Sequence, residues 1–194
     1  MNRIKALLAV ILPASMLTLS APASAQGQSD AGWYIGAAYG MTSFDLDTTG
    51  ITNPSVDDSD SGFKIYGGFQ FNKHLGAEVG YVDFGKAAVS GSISGIPFTG
   101  NIDLTAMTVA AVGTLPLNES FALFGKVGLW TWDATASVSA LGSAGSADDS
   151  GTDAFFGAGL RYNLNKNFAL TLELEMYDSD DSVTMTSVGV RYKF

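Results

Sequence analysis

The sequence predicts an all-β fold, an eight-stranded antiparallel transmembrane β-barrel with an up-and-down meander. Three observations predict it. Hydrophobic residues make up 46% of the chain, yet they recur at every second position, which is the period of a β-strand with two different faces. The charged residues of these strands fall on one face. Tight turns and longer loops alternate along the chain, as they do in transmembrane barrels.

The first three predicted strands are residues 33–42, 62–71 and 75–84. Each alternates large apolar side chains with a face of small or polar ones, where Lys64 and Glu78 lie. A strand of about this length can cross a bilayer when it is tilted. The predicted outward side chains are Trp33, Ile35, Ala37, Tyr39, Met41, Phe63, Ile65, Gly67, Phe69, Phe71, Leu75, Ala77, Val79 and Tyr81.

The fourth predicted strand, residues 102–114, has apolar or small residues at both parities, so its two faces are not assigned. The last four, residues 120–132, 152–163, 168–177 and 184–194, alternate clearly again. Because a membrane barrel leaves no edge, the last strand should pair with the first. The clearest outward residues here are Phe121, Leu123, Val127, Leu129, Phe156, Leu160, Tyr162, Phe168, Leu170, Leu172, Leu174, Met176, Val188, Val190, Tyr192 and Phe194.

The predicted connections alternate in length, with the exception of a short one at residues 178–183. Alternation along a meander places all turns at one end of the barrel and all loops at the other, the outer end. The turns are predicted at residues 72–74, 115–119 and 163–167, and the long loops at residues 43–61, 85–101 and 133–151.

The charged face decides between a soluble and a membrane barrel. A soluble barrel is apolar inside and polar outside. Eight strands enclose an interior that side chains just fill, where opposite charges can pair. We therefore place the charged face inside and the uncharged face against lipid, with a soluble lipocalin-like cup as the alternative. The predicted lumen ion-pair network is Glu78, Lys126, Arg161, Glu173, Glu175 and Arg191, and Lys64 shares that face.

Isolated buried charges are costly, so the three glutamates should be compensated by these cations. Glu173 and Arg191 are expected to lie diagonally across the last hairpin. The structural interpretation is a plug of ion pairs that fills the lumen. The functional alternative is a polar path for water or small ions that opens when the pairs exchange.

Residues 1–25 predict a cleaved signal peptide, which leaves a barrel domain at residues 26–194. Arg3 and Lys5 precede an interrupted apolar core, and Ala23-x-Ala25 forms a cleavage motif. An uncleaved membrane anchor is the alternative. The formal net charge of −9 disfavours nucleic-acid binding, and the lack of cysteine excludes a disulfide framework.

Aromatic residues cluster near the predicted turn end of the outward face: Phe71, Phe121, Tyr162, Phe168, Tyr192 and Phe194. This is typical of an interfacial girdle, although strand propensity also favours aromatic residues. His74, the one histidine, lies in a tight turn without a serine or acid at triad spacing, so we predict no enzyme and no cofactor.

The predicted loops are acidic and rich in serine and glycine. Residues 57–62 have the acidic character of a calcium loop but lack the EF-hand spacing and its final glutamate. A solvated surface is the plainer interpretation. The alternative is bridging through divalent cations to lipopolysaccharide, or binding of an external partner.

The chain resembles the membrane domain of the outer membrane protein A family (OmpA). The matching stretches are residues 32–36, 67–72, 75–81, 157–162 and 188–194. The resemblance implies an eight-stranded barrel in a Gram-negative outer membrane, in contact with lipid and lipopolysaccharide, and we expect a monomer. It also implies an assembly signal for the barrel assembly machinery at Ser187, Gly189, Tyr192 and Phe194. No peptidoglycan-binding domain is expected after residue 194.

The resemblance also implies that the charged side chains of Glu78, Lys126 and Glu173 point into the barrel, because these positions match inward charged residues of the family. Arg161 departs from an inward glutamate of the family and Thr171 from an inward arginine. The family's inward lysine on the fourth strand falls on Ala110 or Ala111. The expected function is a structural or weakly solute-passing outer-membrane barrel. A surface adhesin or receptor barrel is the alternative, which long protruding strands would favour.

Overall fold

The computed structural model describes residues 31–44, 52–57, 59–93, 96–140, 143–178 and 182–194, with the backbone alone for residues 52–57, 93, 96, 97, 140 and 143. The predicted signal peptide and parts of the predicted connections 43–61 and 178–183 lie outside these ranges. In the described part of the chain, no helix has the length and hydropathy needed to cross a membrane. The strands are β1 Gly32–Phe44, β2 Thr52–Asp57, β3 Ser59–Gln70, β4 Leu75–Ile93, β5 Ile96–Pro116, β6 Phe121–Ala140, β7 Ser143–Asn163, β8 Phe168–Tyr177 and β9 Val183–Lys193.

Eight of these strands close into an antiparallel barrel, which confirms the predicted fold class. β1 pairs with β3, β3 with β4, and each later strand with the next. The seam joins β9 to β1, with Tyr39 opposite Val188 in the middle of the pairing. β2 adds a short strand beside the outer part of β4. The closed ring leaves no unpaired edge for lipid to meet.

The outward face of the barrel is apolar, and this finding excludes the soluble cup. On β8 every odd position is buried and every even position exposed: Glu173 is 3% exposed, whereas its neighbour Leu172 is 50% exposed. Exposed apolar side chains of this kind surround the barrel, and we call them the apolar belt. It includes Trp33, Ile35, Tyr39, Phe63, Ile65, Leu75, Val79, Met107, Val109, Leu123, Val127, Leu129, Phe156, Leu170, Leu172, Leu174, Val188 and Val190.

Pairing with β4 fixes the face of the fourth barrel strand, β5, which the sequence pattern left open. Ala110 lies opposite Glu78 and is buried in the lumen, whereas Ala111 is exposed on the belt side. Side chains directly opposite in an antiparallel pair share a face, so the inward position of Glu78 sets that of Ala110. The family's inward lysine therefore corresponds to Ala110 here.

Two of the predicted long loops are strands instead. Residues 85–93 and 96–101 form the outer ends of β4 and β5, and residues 133–140 and 143–151 form the outer ends of β6 and β7. Pairing continues in both hairpins as far as Ile93 opposite Ile96 and Ala140 opposite Ser143. Serine, glycine and aspartate have low strand propensity, but cross-strand hydrogen bonding overrides this weak preference. The outer ends of β4 to β7, with β2, form a sheet that projects beyond the belt.

A bulge at Gly85 lies where β4 leaves the belt. The register with β5 shifts between Asp83 and Lys86, and Gly85 has a positive φ of 78°, which glycine adopts at low cost. The backbone N–H groups of Lys86 and Ser61 donate to the Asp60 carboxylate over 2.8 and 2.7 Å, and these bonds lower the pKa of Asp60. Asp60 thus stabilises the backbone around the bulge through these hydrogen bonds.

The three short turns share one asparagine motif, which explains their tightness. Asn118 Oδ1 accepts from the N–H of Ser120 and Phe121, at 2.9 and 2.8 Å. Asn72 and Asn165 accept in the same way from the residues two and three positions later. Asparagine side chains favour such local turns. The motif ends each strand pair at the same end of the barrel.

Candidate functional site

A layer of buried ion pairs crosses the middle of the lumen. Lys64 Nζ lies 2.7 Å from Glu173 and 2.5 Å from Glu175, and Lys126 Nζ lies 2.5 Å from Glu78. Lys126 also approaches the second oxygen of Glu173 at 2.8 Å, as an ion pair without hydrogen-bond alignment. We call these five residues the ion-pair layer. They come from β3, β4, β6 and β8, so the layer links distant strands across the barrel.

Neighbouring aromatic rings help the layer to remain buried. Lys126 Nζ lies 5.0 Å from the ring centroid of Tyr66, and Lys64 Nζ lies 5.6 Å from it. A desolvated ammonium group over an aromatic face is stabilised by the ring quadrupole. Tyr34 donates its hydroxyl hydrogen bond to Glu78 over 3.1 Å. This hydrogen bond helps to fix the orientation of the Glu78 carboxylate.

Arg161 and Arg191 lie below this layer, toward the short turns. Arg191 donates to Gln70 over 3.2 Å and stacks on the ring of Tyr34, with Cζ 3.5 Å from its centroid. Among the described residues, neither guanidinium forms an ion pair with a carboxylate. The Nε atom of Arg161 is buried and has no hydrogen-bond partner in the part of the chain that the structure describes.

The structure thus brings four of the six predicted network residues together: Glu78, Lys126, Glu173 and Glu175. The expected pairing of Glu173 with Arg191 is wrong. On β8 and β9, Glu173 pairs with Ser187 and Arg191 with Ala169, so the two charges are separated by four residues along the strands. Arg161, opposite Thr171, is also outside the layer.

Lys64 takes the place that the sequence analysis gave to the two arginines. It is 2% exposed and contacts two carboxylates. Its inward position on the second predicted strand was the available signal. The family's inward lysine is absent at Ala110, and Lys64 supplies an ammonium group from another strand.

Above the layer, toward the projecting sheet, apolar side chains fill the lumen. Phe84 packs edge-on against Tyr177 and Trp130, with ring centroids 4.7 and 5.8 Å apart, and Phe155 stacks on Tyr177 at 5.1 Å. Trp130 donates to the carbonyl of Asp178 over 3.2 Å. We call this set the outer cluster: Phe44, Val82, Phe84, Ala87, Leu104, Ala106, Ala110, Trp130, Phe155, Tyr177, Val183 and Met185.

The space within the ion-pair layer is small. A cavity of about 10 Å³ has both arginines among its lining residues, which are Tyr34, Tyr66, Glu78, Val112, Phe124, Lys126, Arg161, Thr171, Glu173 and Arg191. This volume is about that of a single water site. The lumen is therefore closed at two successive levels, by charge pairs and by aromatic packing.

The four predicted assembly-signal residues occupy both faces of β9. Ser187 is buried in the lumen and Gly189 shares its face, while Tyr192 and Phe194 point toward lipid. Tyr192 packs against Phe168 at 4.9 Å and Phe194 at 5.1 Å. These rings lie at the short-turn end, where the girdle was expected.

Neither a metal site nor a catalytic arrangement is found in the described residues. No group of three or more histidine, cysteine, aspartate or glutamate side chains there could hold a metal ion. Asp58, Asp180 and Asp181 of the proposed acidic loops lie outside the described ranges. His74 contacts the carbonyl of Thr114 through Nδ1 at 3.1 Å, as part of its turn.

The closed barrel, the apolar belt and the charged lumen define the class as an integral β-barrel of the Gram-negative outer membrane. A family model described as the outer membrane protein beta-barrel domain matches residues 11–194, and the chain belongs to this family. Its expected resemblance to the OmpA family is confirmed: outer membrane protein A of Serratia marcescens is 26% identical over 181 residues. That match covers 84% of this chain and 49% of the relative, so the chain spans about half the length of its curated relatives.

Solved structures share the fold. OprG of Pseudomonas aeruginosa has a TM-score of 0.58 at 16% identity, and the match covers 88% of this chain and 99% of OprG. Ail, the attachment invasion locus protein of Yersinia pestis, has a TM-score of 0.56 at 23% identity, with 86% and 99% covered. The family and these neighbours are outer-membrane barrel proteins.

Proposed function

We propose that this chain is a closed structural barrel, which supports the integrity of the outer membrane and does not use its lumen for solute passage. The observation that carries the proposal is the double closure of the lumen. A solute would have to separate the ion-pair layer and also displace the outer cluster. Opening the layer would separate buried charges from their partners, and an uncompensated buried charge is costly.

Liposome swelling tests this proposal. Vesicles that contain the refolded chain should swell in an isosmotic arabinose solution no faster than vesicles without protein. The matched control is a general porin at the same protein-to-lipid ratio. Swelling that rises in proportion to the amount of folded chain would favour the weak passage of small solutes.

A second candidate function is surface binding through the projecting sheet. Its support is the length of the β4–β5 and β6–β7 hairpins, which continue beyond the apolar belt. In the described part of the sheet and its rim, one cation, Lys86, is found among many acids. These acids are Asp60, Asp83, Asp103, Asp133, Asp148, Asp149, Asp153 and Asp178. Such a field attracts a cationic partner and repels a polyanion.

The charge pattern predicts a different preference from that of one structural neighbour. Ail of Yersinia pestis was solved with a heparin analogue, sucrose octasulfate. The present chain should bind immobilised polylysine in a salt-sensitive way and should not bind heparin. Replacing Asp148 and Asp149 by asparagine should weaken polylysine binding, measured by surface plasmon resonance, while Glu119→Gln at the other end should not. Heparin binding would contradict this candidate.

We also propose that the aromatic end of β9 serves assembly. Phe194 is 68% exposed and contributes little to the folded lumen, so Phe194→Ala should leave refolded stability nearly unchanged. In cells, the amount of the Phe194→Ala variant that is inserted into the outer membrane should fall several-fold if the barrel assembly machinery recognises Phe194. Trp33→Ala, at the other strand of the seam and also lipid-facing, is the control. Equal yields of folded protein for wild type and Phe194→Ala would reject the signal.

The remaining proposals concern processing and the outer leaflet. A cleaved signal peptide predicts a mature amino-terminus at Gln26, and sequencing the membrane-extracted protein decides this.

A monomer predicts a single-chain mass in native mass spectrometry. Contact with lipopolysaccharide through divalent cations predicts a rise in thermal stability with calcium, and a flat titration would reject that contact.

A further inference from the structure

A basic cavity lies at the short-turn end of the barrel, below the ion-pair layer. Its volume is about 600 Å³, and Glu119 is the one acid among its lining residues. Five cations line it: Lys73, Arg161, Lys166, Arg191 and Lys193. The 194-residue sequence has a formal net charge of −9, so this concentration of positive charge contrasts with the overall composition.

The ion-pair layer does not account for both arginines. The layer has three carboxylates and two ammonium groups, which leaves a charge of −1 when all are ionised. One guanidinium suffices to balance it. Arg191 is the nearer candidate, since it stacks on Tyr34, which donates to Glu78. Arg161 is then in excess, beside the cavity.

Arg161 also has an unmet bonding requirement. Its Nε atom is buried without a hydrogen-bond partner, although a guanidinium has five N–H donors. A buried donor without an acceptor is destabilising, and native structures seldom retain one. Within the described residues, no oxygen accepts from this N–H group, so the guanidinium of Arg161 is not fully satisfied by the protein.

We propose that this cavity binds a phosphate oxyanion that enters from the periplasmic side, with Arg161 as its principal ligand and Arg191, which also lines the cavity, as the second. The planar N–H fork of arginine matches the oxygens of phosphate in a bidentate geometry. The two arginines come from different strands, β7 and β9, and a phosphate has enough oxygen atoms to accept from both. Free phosphate and a phospholipid headgroup share this chemistry.

The arginine side chains themselves provide the readout. The full chain contains three arginines, Arg3, Arg161 and Arg191, so the Nε–Hε region of a ¹⁵N spectrum is simple. The chain is refolded in phosphate-free alkyl-maltoside micelles and titrated with inorganic phosphate, with chloride added to keep the ionic strength constant. The Arg161 and Arg191 signals should shift saturably. Arg161→Gln should weaken the apparent phosphate affinity about tenfold, the worth of one charged hydrogen-bonding partner.

Two further variants keep the test decisive. Lys166→Gln, on an exposed turn at the cavity rim, should weaken binding by a smaller factor even if Arg161→Gln fails to fold. Lys86→Gln removes the same charge at the opposite end of the barrel and should leave phosphate affinity unchanged. An equal loss in Lys86→Gln would show a general charge effect and overturn the site.

A lipid arm identifies the source of the oxyanion. Short-chain phosphatidylglycerol is added to the same micelles in place of inorganic phosphate. Saturable shifts with inorganic phosphate support a free anion, and shifts with the lipid alone support a headgroup. The absence of saturable shifts with both probes would overturn the proposal.

Discussion

Replacing Lys64 by methionine is expected to lower the free energy of unfolding by about 3–5 kcal/mol, the cost of breaking a buried ion pair. Lys64 is 2% exposed and contacts both Glu173 and Glu175. Without its ammonium group, Glu175 would lose its ion pair with Lys64, and Glu173 would keep only the ion pair with Lys126. The measurement is reversible urea unfolding in lipid vesicles, followed by tryptophan fluorescence.

Lys86→Met is the matched control for this change. Lys86 also forms an ion pair, with Asp103 at 2.8 Å, but the two side chains are 67% and 43% exposed. Exposed pairs contribute little to stability because solvent screens them. The same substitution should therefore have little effect at this position. Similar losses for Lys64→Met and Lys86→Met would contradict the buried ion-pair layer.

Replacing Leu172 by arginine should destabilise the inserted barrel by about 2–4 kcal/mol, the cost of a charge at the bilayer midplane on a barrel's lipid face. Leu172 is 50% exposed in the middle of β8, between Leu160 and Val188 of the flanking strands. In water this side chain would tolerate a charge. In hydrocarbon, the guanidinium must be desolvated or must draw water into the bilayer.

Val138→Arg separates the effect of lipid from that of exposure. Val138 is 48% exposed, close to Leu172 in that respect, but it lies on the part of β6 that projects beyond the belt. Its replacement should change the unfolding free energy in vesicles by well under 1 kcal/mol, as for most surface changes. If both variants lost the same stability, the belt would not be the lipid contact.

The barrel could be predicted from sequence because its signal is repeated. Strict alternation on strands such as β8 gives both the strand and its buried face, and a lipid exterior makes the pattern sharper than in water. β5 lacked that signal, since alanine suits either face. Only its pairing with β4, which sets Ala110 opposite Glu78, resolved the phase.

The two long hairpins escaped prediction for a physical reason. Residues 133–151 are mostly small and polar, and such residues form strands only when a partner strand satisfies their backbone groups. Here Thr135 and Asp148 lie opposite each other and share a hydrogen bond of 2.9 Å. The strand propensity of single residues contains no information about pairing with a distant strand.

The inward charges could be identified, but their partners could not. Parity placed Lys64, Arg161 and Arg191 on one face without giving their heights along the barrel. Those heights depend on the β8–β9 register, which sets Arg191 four residues from the position that faces Glu173. A one-sided charge pattern therefore predicts a polar lumen, and the structure is needed to divide it into an ion-pair layer and a basic cavity.

Planar-bilayer recording of the refolded wild-type chain tests the closed lumen most directly. Heat-modifiable migration on a gel should first establish that the inserted protein is folded. We predict a baseline without discrete current steps, because the ion-pair layer and the outer cluster close the lumen in series. Recurrent unitary steps from folded wild-type protein would contradict the closed barrel.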